Sequence, residues 1–507
     1  MTTTDATPSD AGPIAERERF DSLDPATGAV VGTHPVHSAA DVDRAVARAR
    51  IASDTWADLD FDGRAPKLAA WKALITSRAD ELAELVRAET GKPTGDAMLE
   101  IVLAVDHLAW ATKHAPKVLK RRSVNPGLLM SNMGATLEYL PFGVIGVIGP
   151  WNYPVFTPMG SIAYALAAGN AVVFKPSEHT PGVGEWLGRT AAEAMGIPGL
   201  LEVVTGFGET GGALVQAGVD KVAFTGSTGT GKKIMAAASE TLTPVLIECG
   251  GKDAMLVDAD ADLDAAADAA AWGGMSNAGQ TCVGVERVYV HTDVYDEFVD
   301  KVVAEASAVE AGSGDEADIG PITMPSQLEV IRDHIHDALA RGGRALVGGE
   351  DAVDDRYARP TVLVDVPEDS VAVTDETFGP TLTIARVRDM GEAVEKANAS
   401  RYGLGSTVFS GERGPELARR LRSGMTAVNS VISFAGIPSL PFGGVGDSGF
   451  GRIHGPDGLR EFTRPKAVAR QRMKAPLTLT TFHRGSGTDK AVRKLIGLLH
   501  GRGPRKG

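Results

Sequence analysis

Between residues 143 and 224, short apolar runs alternate with longer stretches of helical periodicity. Residues 143–149 read as a buried strand, 157–168 as a helix, 170–174 as a second strand and 181–195 as a helix. An apolar run at 202–204, a helical segment at 210–217 and a strand at 221–224 complete the series. Strands that are apolar on both faces, each followed by a helix, predict a parallel sheet covered on both sides. A second alternating block runs from Thr243 to about Val431, with strands at 254–257, 287–290 and 407–409 and helices at 260–277, 294–309 and 326–341. Ahead of both blocks, 36–120 reads as helical, with Ser38 and Asp41 in capping positions. Asp24-Pro25-Ala26-Thr27-Gly28 is a turn. The extended runs of 123–141, around Asn125-Pro126-Gly127, read as a β-hairpin. The pattern predicts an α/β protein with two doubly wound cores and a hairpin between its helical lead and the first core.

Composition narrows the function classes. The chain has 507 residues, 43% hydrophobic and 23% charged, which is ordinary for several globular domains. A formal charge of −14 argues against a nucleic-acid binder. Two cysteines rule out a disulfide framework and suit a reducing compartment, so a cytoplasmic location is expected. Residues 1–15 lack the basic and apolar regions of a signal peptide and read as a disordered lead. No run approaches the length of a membrane span.

The tail, 481–507, departs from the acidic trend. Val492, Leu495, Ile496, Leu498 and Leu499 alternate with Lys490, Arg493 and Lys494. This is a basic amphipathic helix, read as a solvated or self-docked tail, with weak association to an anionic membrane as the alternative.

Candidate chemistry centres on Cys282, which closes Asn277-Ala278-Gly279-Gln280-Thr281-Cys282 at the end of an alanine-rich helical stretch. A free cysteine is most often a buried small hydrophobe. Upstream, however, Glu248-Cys249-Gly250-Gly251-Lys252 offers a carboxylate followed by a glycine turn. Pro150-Trp151-Asn152-Tyr153-Pro154 presents an amide in a stiffened loop, which suits the stabilisation of an oxyanion. Thiol, carboxylate and amide together would make a covalent acyl-transfer site.

Gly226-Ser227-Thr228-Gly229-Thr230-Gly231-Lys232-Lys233 follows a strand and opens a helix, where backbone N–H groups meet phosphate. It nearly spells a P-loop, so a nucleotide hydrolase is a rival reading, although Lys233 replaces the hydroxyl residue that would bind magnesium. Lys175 and Glu178, at a strand's carboxyl end, have the chemistry to bind ribose hydroxyls. Metal ligation is not expected: the cysteines lack ligand spacing, and His334 and His336 face different ways on a helix.

In register, these segments resemble the aldehyde dehydrogenase superfamily over roughly 20–470. The matching pieces are Pro150-Trp151-Asn152-Tyr153-Pro154, Lys175-Pro176-Ser177-Glu178, Phe224-Thr225-Gly226-Ser227-Thr228, Glu248-Cys249-Gly250-Gly251-Lys252, Gly279-Gln280-Thr281-Cys282, Glu376-Thr377-Phe378-Gly379-Pro380 and Pro441-Phe442-Gly443-Gly444. Cys249 departs from the apolar residue usual there and is read as core packing.

The resemblance implies oxidation of an aldehyde to the acid with NAD, or NADP as the alternative, through a thiohemiacetal and thioester on Cys282. Glu248 would be the base and Asn152 the oxyanion donor. Gly226 and Ser227 would approach the pyrophosphate, and Lys175 and Glu178 the adenosine ribose. Glu376 would hold the nicotinamide ribose, with Trp151 and Phe378 near the ring.

The look is nearest to bacterial succinate-semialdehyde dehydrogenases, so succinate semialdehyde or another aliphatic aldehyde is the expected substrate. Arg287 is the nearest candidate carboxylate clamp and reads as structural. The implied fold has two Rossmann-like domains, NAD-binding (16–122 and 142–246) and catalytic (247–440). Oligomerisation or bridging elements fall at 123–141 and 441–480, and a homodimer or homotetramer is expected. A non-catalytic NAD-binding member is the remaining alternative.

Overall fold

A computed structural model describes residues 18–474 and 480–501. The lead expected at 1–15 lies outside them. Contacts divide the chain into a large unit, 1–119 with 140–464, and a small unit, 120–139 with 465–507.

The large unit contains two sheets, and chain order within each explains where ligands can bind. In the six-stranded sheet, Val144–Ile148 is central. Ala171–Lys175 and Leu201–Val203 extend it on one side, and Lys221–Gly226, Val245–Cys249 and Gly449–Phe450 on the other. All neighbours are parallel except the last pair. The chain therefore reverses its direction of growth between Val144–Ile148 and Lys221–Gly226. The carboxyl ends of strands at such a switch point open a crevice for ligand. Val144–Ile148 is buried at every position, as its unbroken apolar run requires, and helix Phe156–Ala168, buried along most of its length, covers the sheet.

The seven-stranded sheet is ordered Arg344–Val347, Thr361–Val364, Thr381–Val387, Val285–His291, Asp253–Val257, Ser406–Phe409, Ala427–Val428. It is parallel apart from the Arg344–Val347 edge. Its first strand follows the last buried strand of the other sheet after the short turn Gly250-Gly251-Lys252. The carboxyl end of one sheet is thus joined to the amino end of the other.

One boundary differs from the sequence reading. The second block was expected to start at Thr243, yet Val245–Cys249 pairs with Lys221–Gly226 in the first sheet. The second sheet begins at Asp253. A strand's own sequence does not say which sheet it joins; that depends on the partner edge available. The expected helix 260–277 also stops sooner, at Met275. The four helices Ala39–Asp58, Phe61–Ser77, Ala79–Thr90 and Thr94–Leu119 fill the predicted helical lead, the first closed by the Ser38/Asp41 capping box.

In the small unit, Arg122–Val124 and Met133–Pro141 form the expected antiparallel hairpin, and Thr463–Gln471 adds a third strand beside it. Helix Ser486–His500 follows and buries none of its residues. No helix among the described residues is long and apolar enough to cross a membrane.

Candidate active site

Cys282 is reached through an unusual turn. After Met275 the chain passes through Asn277, Ala278 and Gly279, all with positive φ (53°, 55° and 70°). Only glycine adopts this conformation freely, so the two non-glycine residues carry strain that their surroundings must offset. The offset is a saturated polar network. Asn277 Nδ2 donates to the carbonyls of Asn152 and Gln280, each at 3.1 Å. Gln280 donates to the Asn277 carbonyl at 2.9 Å and accepts from the Thr323 N–H at 2.8 Å. A side chain at Gly279 would overlap the backbone of Gly379, so this turn is packed against the 376–379 loop.

The same network holds Asn152. Its Nδ2 donates to the Gln280 carbonyl at 2.8 Å, and its own carbonyl accepts from Lys92 Nζ at 2.7 Å. Lys92 is fully buried and paired with Glu100 at 3.0 Å. The second Glu100 oxygen accepts the Val155 and Phe156 N–H groups that follow the Asn152 loop. A buried charge pair is tolerable only when further hydrogen bonds satisfy its members, and both are satisfied here. An Asn152 amide held this way still has one N–H unaccounted for by Gln280.

Glu248 lies near the end of Val245–Cys249, where Gly449 bridges to it across the sheet edge. It is buried, and neither carboxylate oxygen has a hydrogen-bond partner. Burial pushes its acid up to about 8, against a smaller opposing pull from Arg452. Burial also raises the Cys282 thiol well above its ordinary value. The carboxylates of Glu248, Glu376 and Asp253 add to this, and the Val283 N–H opposes it. The thiol is accordingly protonated at neutral pH and needs a base to ionise it; Glu248 titrates in the range where a base is useful.

Cys282 lines two cavities. One, of about 300 Å³, is walled by Trp151, Gly226, Ser227, Gly250, Glu376 and Phe378. Its fit to a dinucleotide is physical. Gly226 ends a strand at the switch point. Ser227 caps helix Thr228–Ser239 and leaves first-turn N–H groups free to face phosphate. Any side chain at Gly250 would overlap the Glu376 carboxylate, which accepts the Gly251 N–H at 3.0 Å. Trp151 and Phe378 meet edge to face, centroids 5.5 Å apart, with Phe378 in a strained positive-φ conformation. That strain is held by Glu286, which accepts the Thr377 and Phe378 N–H groups and pairs with buried Lys252.

Lys175 and Glu178 pair at 3.3 Å at the end of the neighbouring strand and do not line this cavity. Burial pushes the Glu178 acid up, but Lys175 and backbone hydrogen bonding outweigh it, so the group stays anionic.

The other cavity, of about 90 Å³, is apolar. Leu99, Leu103, Phe156, Trp272, Ile432 and Phe442 form much of its wall. Its ionisable lining groups are Asp96, Glu100, Glu248, Tyr153, Cys282 and His454, and none of the lining residues is Lys or Arg. His454 is buried and held neutral, its pKa pushed well below the usual imidazole value by burial and then by His107. Arg287 is elsewhere: it donates to the Lys252 carbonyl at 2.7 Å and lines neither cavity. Cys249, buried against Gly231 with its thiol pushed up to about 12 chiefly by burial, is chemically quiet.

Sequence reading missed Lys92, Glu100, Asn277, Gln280 and Glu286. One signal was present. Glu100 stands where the buried stripe Ala97, Ile101, Ala104, Leu108 would have an apolar residue, and a charge on a core face implies a buried partner.

Comparison with known proteins agrees with this arrangement. The aldehyde dehydrogenase family model matches residues 14–468. A 4,4′-diapolycopene aldehyde oxidase of a Methylomonas species is 37% identical over 484 residues, covering 95% of this chain and 91% of its own. A Mycobacterium ulcerans relative, provisionally named succinate-semialdehyde dehydrogenase [NADP(+)] 2, is 38% identical over 459 residues, 88% of each chain. The crystal structure of an NAD-dependent aldehyde dehydrogenase from Sinorhizobium meliloti superposes with a TM-score of 0.87 at 34% identity, covering 92% of this chain and 93% of the other. The hydrolase alternative finds no support in these likenesses.

Proposed function

The chain belongs to the aldehyde dehydrogenase family and is an NAD(P)-dependent enzyme of that kind; on this footing we propose that Cys282, Glu248 and Asn152 carry its reaction and that the substrate is an aldehyde with an apolar chain. The observation that carries the assignment is the position of Cys282 on the walls of both cavities.

In the proposed sequence, Glu248 takes the thiol proton as sulfur bonds to the carbonyl carbon. The carbonyl oxygen becomes an oxyanion, held by the free N–H of Asn152 and the Cys282 backbone N–H. The nicotinamide coenzyme, when bound, supplies the acceptor for the hydride that leaves this carbon. What remains on Cys282 is a thioester. Glu248 first gives the thiol proton up to solvent and then removes a proton from the attacking water; the C–S bond breaks, the leaving sulfur takes that proton back from Glu248, and the acid departs. Gly226, Ser227, Glu376, Phe378 and Trp151 would hold the coenzyme, with Lys175 and Glu178 at its outer end.

The apolar lining supports the aliphatic branch of the substrate expectation. A second carboxylate on the substrate would face Asp96, Glu100 and Glu248 with no lining cation to receive it. The Methylomonas relative is named for 4,4′-diapolycopene aldehyde and the Mycobacterium ulcerans relative for succinate semialdehyde; the lining of this chain's own cavity favours the first. With linear aldehydes from propanal to decanal, kcat/KM is expected to climb about fourfold per added methylene, since each buried CH₂ contributes about 0.8 kcal/mol. Succinate semialdehyde should fall below butanal. A tenfold preference for succinate semialdehyde over butanal in the same NADH or NADPH assay would refute this specificity.

The small unit supports a homo-oligomer. Leu128, Leu129 and Met130 on its hairpin loop are about half or more exposed (67%, 51% and 49%), a contiguous apolar tip that a second copy would cover. Leu128→Glu with Met130→Glu is expected to lower the mass measured by sedimentation; an unchanged assembly would remove the tip from the interface.

A further inference from the structure

We propose that helix Ser486–His500 is a surface anchor that docks the enzyme onto a bilayer containing anionic lipid. Val492, Leu495, Ile496 and Leu499 recur at the spacing that puts side chains on one side of a helix. None of the helix residues is buried; Ile496 is 51% and Leu498 73% exposed, and Phe482 just before the helix is fully exposed. Lys490, Arg493 and Lys494 accompany this row, with Asp489 the one acidic residue of the helix. The chain as a whole carries −14, so the charge reverses here, along an apolar row in which Ile496 is exposed and Val492, Leu495 and Leu499 are half-buried.

Those two properties match the interfacial layer of a membrane. Leu, Ile and Phe side chains enter the acyl boundary, while Lys and Arg bury their stems and leave their charges among lipid phosphates. Each basic side chain close to an anionic surface strengthens partitioning about fivefold. A single short helix binds weakly, and several copies in one oligomer add by avidity. The consequence for activity rests on the substrate reading above: an aldehyde with a long apolar chain resides in lipid, and a bilayer-bound enzyme meets it there. The helix geometry stands without that reading.

Flotation of the full-length enzyme on a sucrose gradient tests the anchor. Wild type is expected to rise with vesicles of phosphatidylcholine and phosphatidylglycerol, to rise poorly with phosphatidylcholine alone, and to be released by about 1 M salt, where screening is nearly complete. The triple change Lys490→Glu, Arg493→Glu, Lys494→Glu should weaken partitioning by about a hundredfold or more. Leu495→Asp should also weaken it. Both variants should oxidise propanal at the wild-type rate, which shows that they are folded. Wild type remaining at the bottom with anionic vesicles, or variants that float as wild type does, would overturn the proposal. If sedimentation shows that the variants lose assembly while vesicle binding is unchanged, the row packs on a second copy and the anchor is refuted.

Discussion

Cys282→Ala is expected to abolish aldehyde oxidation, lowering kcat by about 10⁴-fold or more, the scale seen when a covalent nucleophile is removed. No other thiol can substitute. Cys249 lines the dinucleotide cavity but not the apolar one, and burial holds its proton more tightly than in a free cysteine, so it does not ionise near neutral pH. The loss should be chemical rather than structural, because Cys282 is only partly buried and alanine removes a single sulfur beside two cavities. Thermal unfolding should stay within a degree or two of wild type, and coenzyme binding by calorimetry should persist. Iodoacetamide on wild type should reproduce the loss. Activity above about 1% of wild type in the alanine variant would remove Cys282 from the mechanism.

Glu248→Gln has the second largest expected effect, a fall in kcat of about 10²–10⁴, the usual range for loss of a positioned acid–base group. Glutamine keeps the shape and cannot take a proton. Wild-type activity should rise with pH through about 8 as the Glu248 carboxylate forms, and this limb should vanish in the variant. Stability moves the other way. The folded carboxyl has its affinity for protons raised to about 8, while the unfolded one has the ordinary carboxylic value. The contribution of Glu248 to stability is therefore complete at acid pH and is lost as pH rises through about 8. At pH 9 the variant should unfold at higher temperature than wild type, since wild type then buries an unpartnered charge. Equal unfolding temperatures at pH 9, with an unaltered rate profile, would show that Glu248 is not the titrating base.

How much of this was legible in the chain depended on how local each signal was. Strands such as Val144–Ile148 and Ala171–Lys175 showed because strands buried on both faces must be apolar throughout. The motif residues showed because each sits beside prolines or glycines that make a turn. Edge elements did not: Arg344–Val347 alternates exposed and half-buried positions, and Gly449–Phe450 is two residues long. The left-handed Asn277 and Ala278 were invisible, since nothing in alanine favours that conformation; tertiary hydrogen bonds impose it. The apolar cavity was equally hidden. Leu99, Trp272, Ile432 and Phe442 come from separate helices and loops, and no periodicity links them. The proposed substrate class thus required the fold, whereas the proposed nucleophile and base did not.

Position also separates the two cysteines. Both are close to Glu248, and Cys249 is adjacent in sequence, yet only Cys282 faces both cavities, Cys249 lining the dinucleotide cavity alone. Burial, and then the carboxyl groups of Glu248, Glu376 and Asp253, hold the proton on its sulfur. The resting enzyme therefore protects its thiol from adventitious oxidation, which attacks the thiolate.

The most direct test of this arrangement is to trap the covalent species. Glu248→Gln enzyme, in which water must take the thiol proton so that acylation is slow and release of the thioester slower still, held with coenzyme and octanal for many minutes, quenched in acid and digested, should yield the Cys282 peptide carrying an octanoyl group by mass spectrometry. One equivalent of NADH or NADPH should accompany it. Reduced coenzyme formed with the Cys282 peptide unmodified, or an acyl group found on another residue, would contradict the assignment of Cys282 as the nucleophile and Glu248 as the base that releases its thioester.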